Sequence, residues 1–271
     1  MANWTADPNA DRLLADLIER VCSAIPSERV AVYLMGSFAS GDASAESDVD
    51  AAVIWIPTGN TIELVGVGNA AQNSRLLSGK RLDPLVTTVS ELDQPWMADK
   101  LPGLLAWSRL LHGPDLLAGV AKPAIDAHLT ALRRRACSLM KNIRDGRWVE
   151  TEAPLPDPND PYFGYTRKRT WYPVGTESGT REIIELVAGL AAPLAVALTH
   201  EHVTSKRAAI ESYIAVAEEP WANFVSTLYQ LCAVKWRNRI PASLEEKDLL
   251  REMCSSVQAF ENHYLEEFPC D

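Results

Sequence analysis

Residues 11–25, DRLLADLIERVCSAI, set Leu13, Leu14, Leu17, Ile18, Val21 and Cys22 on one stripe at helical spacing. Asp11 stands where an N-cap would serve, and Pro26 follows the helix end. The next apolar run, RVAVYLMG at 29–36, has no polar gap, is rich in β-branched and aromatic residues, and closes on glycine; it predicts a buried strand. A polar connector, SGDASAES, leads to DVDAAVIWI at 48–56, a second strand ended by Pro57. A helix is expected over 61–78. KRLDPLVTTVSEL at 80–92 predicts a third strand, and Pro84 argues that it is an edge strand or carries a bulge.

From about residue 100 the spacing becomes helical. LPGLLAWSRLLHG, AIDAHLTALRRRACSLMKNIRDG, TREIIELVAGLAAPLAVALTH, SKRAAIESYIAVAEE, PWANFVSTLYQLCAVKWRN and SLEEKDLLREMCSSVQAFENHYLEEF together predict a helical bundle. The expected fold class is therefore α+β: an N-terminal α/β domain over 1–115, then a helical domain over 116–271. One stretch, 147–180, breaks the helical pattern with five prolines, several aromatics and a basic patch. Loops of that length inside compact domains are often functional. Tyr165, Trp171 and Tyr172 can stack on a ring, and Arg167, Lys168 and Arg169 can meet phosphate; equally, the segment can wrap the bundle and plug its surface with its aromatics.

Composition narrows the function classes. The chain has 271 residues and a net charge of −10, with a pI near 5.1, which argues against a dedicated nucleic-acid binder. An acidic surface suits a cationic small partner, and it also serves plain solubility. The five cysteines are scattered at no metal-ligand or CxxC spacing and are expected to be reduced thiols. No two of the five histidines make a ligand pair, and His200 and His202 are expected to be exposed. The N-terminus lacks a basic start with an apolar stretch. The longest apolar run, 183–198, reads as too short to span a bilayer and holds Glu185 and Pro193. A cytoplasmic protein is expected, off the membrane, as monomer or homodimer.

The chemistry sits in LMGSFASGDASAESDVDAAVIW, residues 34–55. Gly36 lets backbone approach a ligand closely, and Ser37 offers a hydroxyl and its own N–H to an anion. Asp48 and Asp50, two apart on a strand, point to one face. A carboxylate pair of this kind suits Mg²⁺, a hard cation that also takes phosphate oxygens. Asp83, at the start of the neighbouring strand, is the natural third carboxylate.

Gly36-Ser37, the eleven-residue step to Asp48, then Asp50 and Asp83, resemble the nucleotidyltransferase motif of the DNA polymerase beta superfamily. The helical second half makes the chain similar to the small-molecule members, above all the streptomycin/spectinomycin adenylyltransferases. That resemblance implies a small mixed sheet, Mg²⁺ held by Asp48, Asp50 and Asp83, and catalysis by the same three carboxylates, with Asp83 a third ligand or the general base. It implies ATP as co-substrate at Gly36, Ser37, Ser47 and Lys206, where Lys206 in TSKRAAI matches the family's phosphate lysine. It implies a cationic aminoglycoside-like acceptor at Glu182, Glu185 and Trp171, and hence a role in antibiotic resistance. Pro193 inside the long apolar helix departs from the family pattern. Two other readings stay open: a minimal nucleotidyltransferase of the toxin–antitoxin kind that modifies protein or RNA, and a degenerate nucleotide-binding protein without catalysis.

Overall fold

The computed structural model describes residues 3–41, 43, 47–58, 65–69, 81–147, 149–167 and 179–270. Its first helix, α1 (Pro8–Ala24), buries Leu13, Leu14, Leu17 and Val21, as the apolar stripe requires. The helix begins earlier than Asp11. Asp7 is the cap, its carboxylate accepting from the Asn9 and Ala10 N–H groups, with Pro8 in the first turn. Asp11 lies inside the helix, nearly buried, and accepts from the backbone N–H and hydroxyl of Thr5 at 2.8 Å each. Competition between two nearby aspartates is settled by the proline, whose fixed φ favours the first helical position.

Four strands follow: β1 (Val30–Met35), β2 (Val49–Trp55), β3 (Leu82–Thr88) and β4 (Arg109–His112). Between them lie α2 (Gly36–Ser40), helical residues 65–69 (α3), and α4 (Leu101–Trp107). The rest of the helix expected over 61–78 lies outside the described residues. The sheet order is β3-β2-β1-β4; β1 is antiparallel to β2 and β4, and β2 is parallel to β3. This is the small mixed sheet of an α+β fold. Pro84 stands on β3, an edge strand, where its missing N–H leaves no central ladder bond unmade.

Both faces of the sheet are covered, which is why β1 and β2 are apolar throughout. Val30, Val32, Leu34, Val49, Ala51 and Val53 pack with α1 on one face. Ala31, Tyr33, Ala52 and Ile54 pack with Leu92, Met97, Leu101, Leu104 and Leu117 on the other. The segment RLLH was expected to continue a helix and instead forms β4. A backbone edge left open on β1 selects a strand there, with a register shift at Val32/Tyr33. Gly113 then turns the chain at φ +82°, where a Cβ would lie 1.9 Å from the Val30 carbonyl oxygen.

The chain divides into two compact units, Met1–Pro123 and Ala124–Asp271. The expected boundary at 115 falls short because the next residues still hold the sheet. Buried Tyr33 donates its hydroxyl to Asp115 at 2.9 Å and accepts the Leu117 N–H at 3.1 Å.

The second unit holds α5 (Ile125–Asn142), α6 (Arg181–Thr199), α7 (Lys206–Val216), α8 (Trp221–Tyr229) and α9 (Leu244–Glu267). At its centre α6 runs continuously through Pro193. It is long and apolar enough to cross a membrane by length and composition, contrary to the reading that it is too short. However, 72% of its apolar window is buried within the protein, as in a core helix.

The Pro-rich segment is fastened by a buried ion pair. Arg144 and Glu261, neither exposed, form a two-pronged fork at 2.8 and 2.6 Å. Arg144 also donates to the Pro154 and Met140 carbonyls at 2.8 and 3.0 Å, and Tyr165 donates its hydroxyl to Glu261 at 2.6 Å. Burial and the neighbouring Glu261 carboxylate push the Tyr165 phenol far above its usual pKa. Tyr165 is thus an anchor inside the bundle rather than a stacking surface. Arg167 is paired with Asp157 and Asp160 at the surface. Lys168, Arg169, Trp171 and Tyr172 lie outside the described residues.

Two further expectations change. Cys137 and Cys270 form a disulfide, with Cα atoms 5.8 Å apart and a sequence separation of 133, so no local spacing signalled it. Cys22, Cys232 and Cys254 are free. His200 is exposed, but His202 is half-buried, its ring 5.2 Å from that of buried His128, which accepts the Val203 N–H at 3.3 Å.

Glu261→Ala is expected to lower stability by about 3–5 kcal/mol, because it strands a buried guanidinium. Glu211→Ala, which breaks the exposed Arg207 pair, should cost less than about 1 kcal/mol; urea unfolding of the two variants makes the comparison. His263 stacks on Trp221 at 4.8 Å, and burial lowers its pKa against the opposing pull of Glu267 and Glu266. The unfolded chain therefore takes up the proton first as pH falls below about 6.5. Stability carried by neutral His263 should be full above that pH and decline down to the folded-state pKa. Thermal melts from pH 7.5 to 5 should show a smaller loss for His263→Phe than for the native chain.

Candidate functional site

The site lies where the C-terminal end of β1 meets the N-terminal ends of β2 and β3. Registers place it there: Met35 pairs with Asp50, and Asp50 pairs with Asp83 across the parallel ladder. Asp50 and Asp83 share the face of Ala52, Leu85 and Ile54, but stand one step beyond the apolar layer that covers those residues. Asp48, one residue before β2, completes the group. Ligand oxygens of Asp48, Asp50 and Asp83 lie within 4.8 Å of one another, and all three residues are half-buried.

At that spacing each pair of carboxylates repels by about 1–3.5 kcal/mol, for effective dielectrics from 80 down to 20. A group of three persists where cations answer it. The oxygen-only donor set fits a hard divalent cation such as Mg²⁺ and not a soft one. Two oxygens bound to one Mg²⁺ are at most about 4.2 Å apart, so small side-chain rotations would bring this trio onto one ion.

Gly36 follows β1 at φ +64°, and a Cβ added there would sit 2.0 Å from Asp50 Oδ2. The glycine thus makes room for the carboxylate and allows the left-handed turn at the same time. Ser37 is the second residue of the short α2 turn; its carbonyl accepts the Gly41 N–H at 3.0 Å, and Gly41 caps the turn in the left-handed region. Ser47, half-buried, directly precedes Asp48.

A cation that the motif reading passed over also stands here. Arg81 Nη2 lies 3.7 Å from Asp83 Oδ2, and the Arg81 carbonyl accepts the Val49 N–H at 2.8 Å. The signal was present in KRLD, where Arg81 and Asp83 are two apart on an extended segment and share a face.

The other expected site residues belong to the helical unit. Glu182 is buried in the first turn of α6. Glu185, one turn on, lies 3.8 Å from the ammonium of Lys206, whose side chain is about half exposed. Lys206 is the first residue of α7, where Ser205 caps by accepting the Ala208 N–H. Trp171 lies outside the described residues.

Residues 14–68 match the family described as a nucleotidyltransferase domain. No curated protein sequence matches the chain. Among solved structures, the fold is similar to a spectinomycin adenyltransferase, AAD(9) from Enterococcus faecialis, determined with ATP and spectinomycin. The TM-score is 0.54 at 9% identity, over 93% of this chain and 98% of that one. A toxin–antitoxin structure with AMP-PNP aligns at TM-score 0.28 and 18% identity, over 44% of this chain and 81% of that one, a likeness too slight to argue from.

Gly36→Ala should drive the new methyl into the Asp50 carboxylate and strain the turn. The expected result is at least about a tenfold loss of Mg²⁺ affinity, on the scale by which disturbed ligand support weakens metal sites, in a chain that still folds. Calorimetric Mg²⁺ titration alongside far-UV circular dichroism reads both.

Proposed function

We propose that this nucleotidyltransferase enzyme transfers AMP from ATP to a hydroxyl of a cationic, aminoglycoside-like small molecule, a modification that would confer antibiotic resistance. The observation that carries the reading is the convergence of Asp48, Asp50 and Asp83 within 4.8 Å beside the Gly36-Ser37 turn. The adenyltransferase-like fold and the matched domain support it.

Asp48, Asp50 and Asp83 would hold Mg²⁺, which when bound draws charge from the triphosphate and makes the acceptor hydroxyl more acidic. The Gly36-Ser37 turn, with Ser47, receives the triphosphate; Gly36 admits close backbone approach and Ser37 donates its hydroxyl. The acceptor oxygen forms a bond to the α-phosphorus as the bond to the bridging oxygen of pyrophosphate breaks. Asp83, on the edge strand with its side chain 47% exposed, takes the hydroxyl proton. Pyrophosphate leaves with the electron pair of the broken bond.

In the helical unit, Lys206 is assigned to the phosphates and Glu182, Glu185 and Trp171 to the acceptor. In the Lys206–Glu185 pair at 3.8 Å the lysine is 48% exposed and the glutamate 17%, so exchanging the long, half-open ion pair for phosphate and ammonium contacts sacrifices little. A net charge of −10 would draw a polycation toward the protein and repel RNA. The setting that suits this chemistry is the cytoplasm, where ATP is abundant, with no membrane or nucleic-acid partner required.

Incubation with Mg·ATP and a panel of aminoglycosides, followed by mass spectrometry, should show one acceptor gaining AMP with equimolar pyrophosphate release. Asp50→Asn should lower turnover at least about a thousandfold, since it removes a charge that organises the transition state, with a metal-free melt no lower than that of the native chain. Near-native turnover would remove Asp50 from the chemistry, and a panel without any AMP adduct would remove the acceptor class.

A further inference from the structure

Arg81 stands among the three carboxylates in a way that the transfer chemistry does not use. Extending the parallel register by one residue from Leu82 and Val49 sets Arg81 opposite Asp48, and the Val49 N–H bond to its carbonyl holds it there. Its guanidinium lies 3.7 Å from Asp83 Oδ2, and its side chain is only 23% exposed. A planar, permanently charged group thus sits beside one carboxylate and across from another, partly shielded from solvent. It carries the sign of the charge that a divalent cation would bring to the same oxygens.

We propose that Arg81 is the resident counter-cation of this cluster. It relieves carboxylate repulsion while no metal is bound, and it competes with the entering cation, so that it sets metal affinity instead of taking part in the transfer. The proposal rests on the reading of Asp48, Asp50 and Asp83 as a metal site. It follows from charge alone: with Arg81 in place, the cluster of three carboxylates has a net charge of −2 and less need of a metal. Without Arg81 the bare cluster repels itself more strongly and attracts a divalent ion more strongly.

The test uses the full chain as the native protein, Arg81→Gln and Arg81→Lys, with Mg²⁺ alone as probe. Calorimetry should give Arg81→Gln about fivefold tighter Mg²⁺ binding than the native chain, while Arg81→Lys stays within about twofold of native, because a charge a few ångströms away acts with that sign at moderate ionic strength. Melts without metal should place Arg81→Gln about 2–4 °C below the native protein, and saturating Mg²⁺ should close that gap. If Arg81→Gln is unfolded without metal, its recovery on adding Mg²⁺ supports the proposal, and failure to recover overturns it. Equal or weaker Mg²⁺ binding by folded Arg81→Gln would also overturn it while leaving the metal site intact. Absence of Mg²⁺ binding to the native chain itself would overturn the metal reading, and the role of Arg81 with it.

Discussion

Three carboxylates held within 4.8 Å of one another are the constraint around which the first unit is arranged. Left to themselves, such groups separate. They are kept together because the strands that bear them are fixed by apolar burial on both faces of the sheet. A slip of one residue between β2 and the edge strand β3 would turn Asp83 to the opposite face of the sheet, away from Asp50. The hydrophobic core therefore enforces an electrostatic arrangement that the carboxylates alone would not choose. A divalent cation would then reward it.

The same register explains the glycine. Because Met35 pairs with Asp50, the residue after Met35 has to pass directly over the Asp50 carboxylate, and no side chain fits in that gap. The left-handed turn at Gly36 and the Asp50 carboxylate beneath it are thus parts of one packing solution. Arg81 enters through the parallel ladder of β2 and β3. It is the local answer to the repulsion in the absence of metal.

The helical unit solves a different problem, how to hold a proline-rich segment that has few ladder bonds of its own. Arg144 and Glu261 supply a buried charged fork, and Pro154 and Tyr165 are tied to it by hydrogen bonds. A fully satisfied buried network gives one geometry and heavily penalises others. The Cys137–Cys270 disulfide adds a covalent tie from α5 to the C-terminal end of the chain. Glu185, in the second turn of α6, and Lys206, at the start of α7, form a partly exposed pair.

Much of this was legible in the residues themselves. Unbroken apolar runs in 30–35 and 51–55, helical periods after 124, Pro84 on an edge strand and the GS and DxD pattern are local properties, and local sterics and burial dictate them. Other features needed the third dimension. Strand β4 exists because β1 offers an open edge, not because RLLH differs from a helical repeat. The N-cap moved from Asp11 to Asp7 because Pro8 and Thr5 give each aspartate a different partner. The disulfide joins residues 133 apart, and Tyr165 became an anchor through a carboxylate on α9. Chain order alone determined which groups were available and which face of its own element each would take. Which groups meet depended on strand register and long-range packing, because contact energies fall off over a few ångströms while sequence separation can be any length.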